Sequence, residues 1–323
     1  MPGNQRPAKG DSSVNAQQLL KNQQRILNIF SDSFQALLSS ESFNSTLQEI
    51  KQALFNRDFD TAFGKEEYLE TYAARWSPSR ALCYGNLFLI LRDEFDTVAA
   101  AASGKLKMVS IGGCAAEHVG FASYLAQSGS EGSLTLVDSA PWTNVSNSLQ
   151  TTLTTPPPLS KYASASAKAS NAPLLSESQL SINIIQEDAL SMDKAKWAEV
   201  IGAQPVVLTI MFTLNELYTN GGIRKATQFL NSIAAVLPSD SLLVVVDSPG
   251  SYSETAIGKE QKRYPMQWLL NHTLEGMEAE ERSWHFVEGG DSIWFRLSDQ
   301  LSYPIQLENM RYLQRIFRWK KQK

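Results

Sequence analysis

Cysteine is nearly absent from this chain: only Cys83 and Cys114 occur in 323 residues. Two thiols cannot staple a disulfide scaffold, and neither has a partner at metal-ligand spacing, so no structural zinc site is expected and a reducing compartment is. Long apolar runs are missing too. No stretch reaches 18 unbroken apolar residues, and the polar first 14 residues lack the apolar core of a secretion signal, so a soluble intracellular protein with no membrane span is expected. Nor does charge of one sign dominate. With 29 Lys and Arg against 33 Asp and Glu, the formal charge is −4, which excludes a wholly basic nucleic-acid tail and a disordered polyanion.

What is present suits a folded core, because 43% of residues are hydrophobic and 10% aromatic. Residues 1–14 read as a disordered polar tail. From 15 to 103 apolar residues recur at helical spacing, as in Leu19, Leu20, Ile26, Leu27, Ile29 and Phe30, and predict an α-helical N-terminal subdomain. Within it, Trp76-Ser77-Pro78-Ser79-Arg80 interrupts the pattern, and Pro78 or Ser79 is placed to open a new helix.

From residue 104 to 300 short β-branched runs alternate with helical segments, the pattern of a mostly parallel sheet with crossover helices. Seven strands are expected: Leu106 to Ile111, Ser133 to Val137, Ser181 to Gln186, Val206 to Met211, Leu242 to Val246, Trp284 to Val287 and Ser292 to Leu297. The last two are so close that only an antiparallel hairpin can join them. Between the second and third, residues 151–180 hold 19 Ser, Thr, Pro or Ala in 30 and predict a flexible surface insertion.

In open parallel sheets ligands bind beyond the carboxyl ends of the strands, so those ends define the candidate site. The first strand runs into Gly112-Gly113-Cys114-Ala115-Ala116-Glu117, where two glycines permit a sharp turn and close approach of a ligand to backbone. Because Cys114 and Glu117 stand where a dinucleotide fingerprint needs glycine, NAD is disfavoured. Asp138 ends the second strand and can accept hydrogen bonds from both ribose hydroxyls of an adenosine ligand, or cap a helix. Asp188, after the third strand, suits an adenine amine or another helix cap; Trp142 suits an adenine face or the core. After the fourth strand come Asn215, Glu216 and Tyr218, and after the fifth Asp247, each also readable as an ordinary turn or first-turn residue.

These residues resemble class I S-adenosylmethionine (SAM)-dependent methyltransferases: the strand order with its terminal hairpin, the 111–117 turn and Val137-Asp138. More narrowly, Arg75 to Leu82 (RWSPSRAL), the Gly-Gly turn, Phe212 to Leu217 (FTLNEL) and Tyr264-Pro265-Met266 are similar to the fungal 25S ribosomal RNA uridine-N3 methyltransferase family. The resemblance implies an α/β, seven-stranded Rossmann-like sheet, SAM as cofactor, and cofactor contacts at Gly112, Gly113, Asp138 and Asp188, with Cys114 and Ala115 beside the methionine part. It suggests Arg80 as a fork for the cofactor carboxylate; Arg75 and Arg80 equally suit RNA phosphate or structural ion pairs. It further implies ribosomal RNA or a pre-ribosomal particle as partner, and nuclear or nucleolar residence.

Methylating a uracil N3 requires removing an imide proton and exposing a Watson–Crick edge. Glu216 is the first candidate base and Asp247 the second; Asn215 is a candidate for a uracil carbonyl, and Tyr218, Tyr264 and Trp268 for an aromatic wall. The segment 301–323 is basic. Arg311 to Lys323 holds six basic residues and no acid, which leaves −10 on the rest of the chain. Its Tyr312, Leu313, Ile316, Phe317 and Trp319 suggest an amphipathic helix presenting Lys320 and Lys321 to phosphate. Rival readings are a same-fold methyltransferase acting on a small molecule or a protein carboxylate, and a non-catalytic assembly factor that binds cofactor or RNA.

Overall fold

Runs such as Leu242-Leu243-Val244-Val245-Val246 are apolar at successive positions, so both faces of the strand they form must be covered. In the computed structural model, which describes residues 9–250, 252–257, 260–279 and 282–321, they are. The strands are β1 (Leu106–Ile111), β2 (Gly132–Asp138), β3 (Leu180–Gln186), β4 (Val207–Met211), β5 (Leu242–Asp247), β6 (Tyr252–Ile257), β7 (Glu260–Pro265), β8 (Glu278–Ala279), β9 (Arg282–Phe295) and β10 (Met310–Lys321). The main sheet has the order β3-β2-β1-β4-β5-β10-β9-β8, and β6 and β7 form a separate hairpin. β1 to β5 are mutually parallel, while β10 runs antiparallel between β5 and β9. The expected Rossmann-like sheet with a terminal antiparallel pair is present.

Three details differ from the sequence reading. Trp284 to Val287 and Ser292 to Phe295 are one long strand, β9, whose antiparallel partner is β10; the interruption at Gly289-Gly290 lies inside β9, flanked by two register shifts against β10. The basic helix expected over 311–323 is replaced, as far as Lys321, by the strand β10, because Met310, Tyr312 and Ile316 on one face and Phe317 and Trp319 on the other feed the two apolar cores. Third, a helix starts at Lys9, inside the segment read as a tail.

The helices preceding the sheet are α1 (Lys9–Ser33), α2 (Gln35–Leu38), α3 (Phe43–Phe55), α4 (Phe59–Phe63), α5 (Glu66–Ile90) and α6 (Arg92–Ala101). α7 (Ala115–Ser128), α8 (Thr143–Thr154), α9 (Ala165–Ala169), α10 (Lys194–Ile201), α11 (Leu214–Ala234) and α12 (Met266–Glu275) follow. The N-terminal helices share one core with α7, α8 and one sheet face; the other face packs against α10, α11 and α12. α5 passes unbroken through Pro78. The missing N–H of proline frees the carbonyl four residues earlier, and that carbonyl, Ala74 O, accepts from Tyr303 Oη at 2.8 Å. The Ser/Ala-rich insertion is tied down at Leu175, which is buried and whose N–H donates to Leu153 O, and at Ala172 O, which accepts from Arg25.

Candidate cofactor cleft and acceptor side

Sheet order reverses between β1 and β4, and a cleft opens beyond their carboxyl ends. Its volume is about 620 Å³, within the usual range of ligand cavities. Chain leaving β1 forms its floor. Gly112 has φ of 66°, its N–H donates to Val137 O at 2.9 Å, and its carbonyl accepts from Thr213 Oγ1. A Cβ there would overlap the Thr213 side chain, so glycine is required both by backbone conformation and by space. Gly113 is held open in turn by the Glu117 carboxyl, which would lie 2.5 Å from a Cβ at 113.

The cleft gathers all eight cofactor residues selected from sequence: Arg80, Gly112, Gly113, Cys114, Ala115, Asp138, Trp142 and Asp188 line it, together with Glu216. Asp138 Oδ1 accepts from the Ala140 N–H at 2.8 Å, fixing the carboxyl at the strand end, and burial pushes its pKa up to about 6. Asp188 accepts from the Leu190 N–H at 2.9 Å. Cys114 is buried with Sγ 2.8 Å from Ser146 Oγ, and burial holds its thiol well above the ordinary range, so it is a neutral packing group.

Arg80 projects from α5 over the Phe212 ring, 4.5 Å from its centroid, and donates to Tyr72 Oη at 2.5 Å. No carboxylate lies within ion-pair distance of it among the described residues. Phe212 itself has φ of 57°, a conformation uncommon for a bulky residue, at the point where β4 meets the cleft. Around this guanidinium stands an aromatic wall of Phe63, Tyr72 and Trp142, with ring centroids 5.1 to 6.4 Å apart.

Sequence reading missed several lining residues: Asp60, Phe63, Tyr72, Glu117, Phe212, Thr213, Asn220 and Lys225. The spacing Tyr72, Trp76, Arg80 along one helix was the available signal. Glu117 is 3% exposed and burial raises its pKa to about 7. Glu216 titrates near 7 as well, through burial first and then repulsion from Asp138, Asp60 and Asp188. Five carboxyls and two cations, Arg80 and Lys225, thus line one cleft.

Other selected residues fall elsewhere. Asp247 is 2% exposed and spends its carboxylate on the N–H groups of Asn215 at 3.2 Å and Ser248 at 2.6 Å, so it fixes the start of α11 rather than facing the cleft. Asn215 sits with it, outside the lining. Tyr218 is buried under α12, its hydroxyl 3.5 Å from Thr273 Oγ1. Arg75 pairs with Glu308 at 2.5 Å. Trp268 stacks on His272 at 5.0 Å on α12, and the side chain of Tyr264, a β7 residue opposite Ser253, lies outside the described residues. Lys320 and Lys321 are at the far edge. Leu313 is level with Asp247 and Arg318 with Leu242, so the chain from 313 to 320 travels about 23 Å away from the cleft.

Glycine turn, unpaired guanidinium and net-negative lining fit a ligand carrying a carboxylate, an ammonium and a sulfonium. A Rossmann-like methyltransferase is the class this fold and cleft define. A family model described as "Putative SAM-dependent methyltransferase" matches residues 30–318. The chain belongs to that family and is a SAM-dependent methyltransferase. It is also 27% identical over 296 residues to the 25S rRNA (uridine(2843)-N(3))-methyltransferase of Saccharomyces cerevisiae, covering 84% of this chain and 76% of the yeast protein. Similar solved structures include the plantazolicin methyltransferase BpumL with SAH, at 11% identity and TM-score 0.38 over 85% of this chain and 99% of that one. Another is the Planctomyces limnophilus family 2 O-methyltransferase with apigenin, at 9% identity and TM-score 0.37 over 79% and 69%. Among the described residues no helix is long and apolar enough to cross a membrane.

Proposed function

We propose that this enzyme methylates N3 of a uridine in large-subunit (25S) ribosomal RNA, within a pre-ribosomal particle in the nucleus or nucleolus. The observation that carries the reading is the similarity to the yeast uridine-N3 enzyme across most of both chains. The cleft supports it, because Glu216 offers a half-ionised carboxyl beside the cofactor space.

In this reading Arg80 forks the cofactor carboxylate, and Glu117, buried beside Gly113 on the same side, accepts from its ammonium. The second oxygen of Asp138 takes the ribose hydroxyls while the first stays on the Ala140 N–H. Asp188 faces the adenine amine. Bound SAM supplies an electrophilic methyl group on a sulfonium, which the lining carboxylates stabilise electrostatically. Glu216 accepts the N3 proton of uracil, so that the nitrogen lone pair becomes available, and then carries that proton back to water. Asn220, one turn beyond Glu216 and also in the lining, replaces Asn215 as the amide for a uracil carbonyl. Phe63 and Tyr72 replace Tyr218 as the aromatic wall for an exposed base.

The test is purified protein with methyl-labelled SAM and ribosomal RNA from cells lacking the activity, followed by nucleoside mass spectrometry. Label in 3-methyluridine is expected. Label in another nucleoside, or only in small acceptors or protein carboxyls, would overturn the reading.

A further inference from the structure

The cleft mouth is acidic at Asp60 and Asp188, which repels a phosphate backbone. RNA therefore needs a hold elsewhere on the same edge. Lys320 and Lys321 are at the wrong edge, but β9 and β10 bring other groups to the right one. Trp294 is 51% exposed, a large value for the largest apolar side chain. The Arg296 guanidinium lies 5.0 Å from its ring centroid and that of Arg311 5.8 Å. Arg311 is opposite Trp294 in the strand register, and its Nε donates to Ser292 Oγ at 2.8 Å. Among the described residues neither guanidinium has a carboxylate within ion-pair distance. The buried arginines of the same strand do: Arg315 pairs with Asp291 and Arg318 with Glu94.

Register places this group. Leu313 is level with Asp247, so Arg311 stands two residues, about 7 Å, past the end of β5, on the cleft side of the sheet. β9 is the third strand from β4, about 14 Å across the sheet from the end of the strand that carries Phe212. The outer edge of β9 pairs with β8 only at Arg282 and Ser283, so nothing in the sheet covers Trp294.

We propose that Trp294, Arg296 and Arg311 form a docking platform for single-stranded RNA flanking the target nucleotide. The indole stacks a neighbouring unpaired base, and the two guanidiniums neutralise adjacent phosphates while gripping the ring. A flipped uridine then enters the acidic cleft as a neutral base, with its backbone held about 14 Å away. This rests on the RNA reading above. It assigns to two arginines the phosphate contacts that the net-negative lining of the cleft disfavours.

The probe is a short fluorescein-labelled uridine-rich RNA strand, titrated with full-length protein and read by anisotropy at several salt concentrations. Trp294→Ala should weaken binding about tenfold, and Trp294→Phe should retain most of it. Arg296→Gln and Arg311→Gln should each lower the salt slope by about 0.7. SAM affinity by calorimetry should be unchanged in all four. If the wild type methylates ribosomal RNA and binds the strand, yet Trp294→Ala and both Arg→Gln variants bind it equally well, the platform is wrong and the RNA reading survives; the arginines would then only shield a sheet edge. Failure of the wild type to bind the strand overturns the platform alone, and failure to methylate ribosomal RNA overturns the reading on which it rests. A drop in SAM affinity matching the RNA loss also overturns the platform, since it would mean a general structural defect.

Discussion

At the carboxyl ends of β1, β2 and β4 the chain turns away through Gly112, Asp138 and Phe212 and leaves five carboxyls around a cleft with only two cations. At the opposite edge β10 ends in Lys320 and Lys321, and its inward arginines are already matched by Glu94 and Asp291. Of the basic residues in this stretch, Arg315 and Arg318 are therefore structural, and Lys320 and Lys321 lie away from the acidic cleft. Charge along a sequence says what a segment carries. Where strand order reverses decides which charges meet a ligand.

Four experiments bear on this contrast. Replacing Glu216 with Gln removes a base but little volume; kcat should fall about 10² to 10⁴-fold while SAM affinity changes little, and the rise of rate with pH near 7 should disappear. Undiminished turnover would move the base elsewhere. Gly112→Val forces a branched side chain into a left-handed position against Thr213, and SAM affinity should drop about a hundredfold or more by calorimetry.

The third uses pH. Glu117 and Glu216 titrate near 7 and Asp138 near 6, above the ordinary 4.5 and 3.8. Their native forms hold protons that the unfolded chain has released. Their contribution to stability is thus complete below about pH 4 and lost as pH rises through 6 to 7. Melting of the unliganded protein should fall between about pH 4.5 and 7 and level off above, and SAM affinity should rise about tenfold between about pH 5.5 and 8 as the cleft becomes anionic. A flat affinity profile would break the electrostatic account. The smallest effect is expected at the other edge, where joint Lys320→Gln and Lys321→Gln replacement should leave SAM and RNA affinities within about twofold. A large loss there would restore the basic-tail interface.

Much of the cleft could be read from the chain because parallel strands end at recognisable places. β1 and β2 are short apolar runs closed by Gly112-Gly113 and by Asp138, and strand ends are where ligands bind. Glu117 is hidden from a sequence reading, since an acid in the first turn of a helix looks like ordinary dipole compensation until its burial, with only 3% exposed, and its place beside Gly113 are known. Asp247 misled for the converse reason: a strand-end acid that engages backbone N–H groups looks, in sequence, like one that faces a ligand. β10 reads as a helix in the sequence because Tyr312, Leu313, Ile316 and Phe317 satisfy helical spacing, whereas a strand buried on both faces has no period of its own. What fixes it as a strand is distant. Arg318 meets Glu94, 224 residues away, a contact that no local window contains.

If the cleft holds SAM as proposed, the carboxyl of Asp138 carries much of the affinity. Calorimetric titration of SAM into wild type and Asp138→Ala at pH 7.5 tests it most directly. One site per chain is expected in the wild type, with affinity reduced about ten- to a hundredfold in the variant. Equal affinities for the two proteins would contradict it.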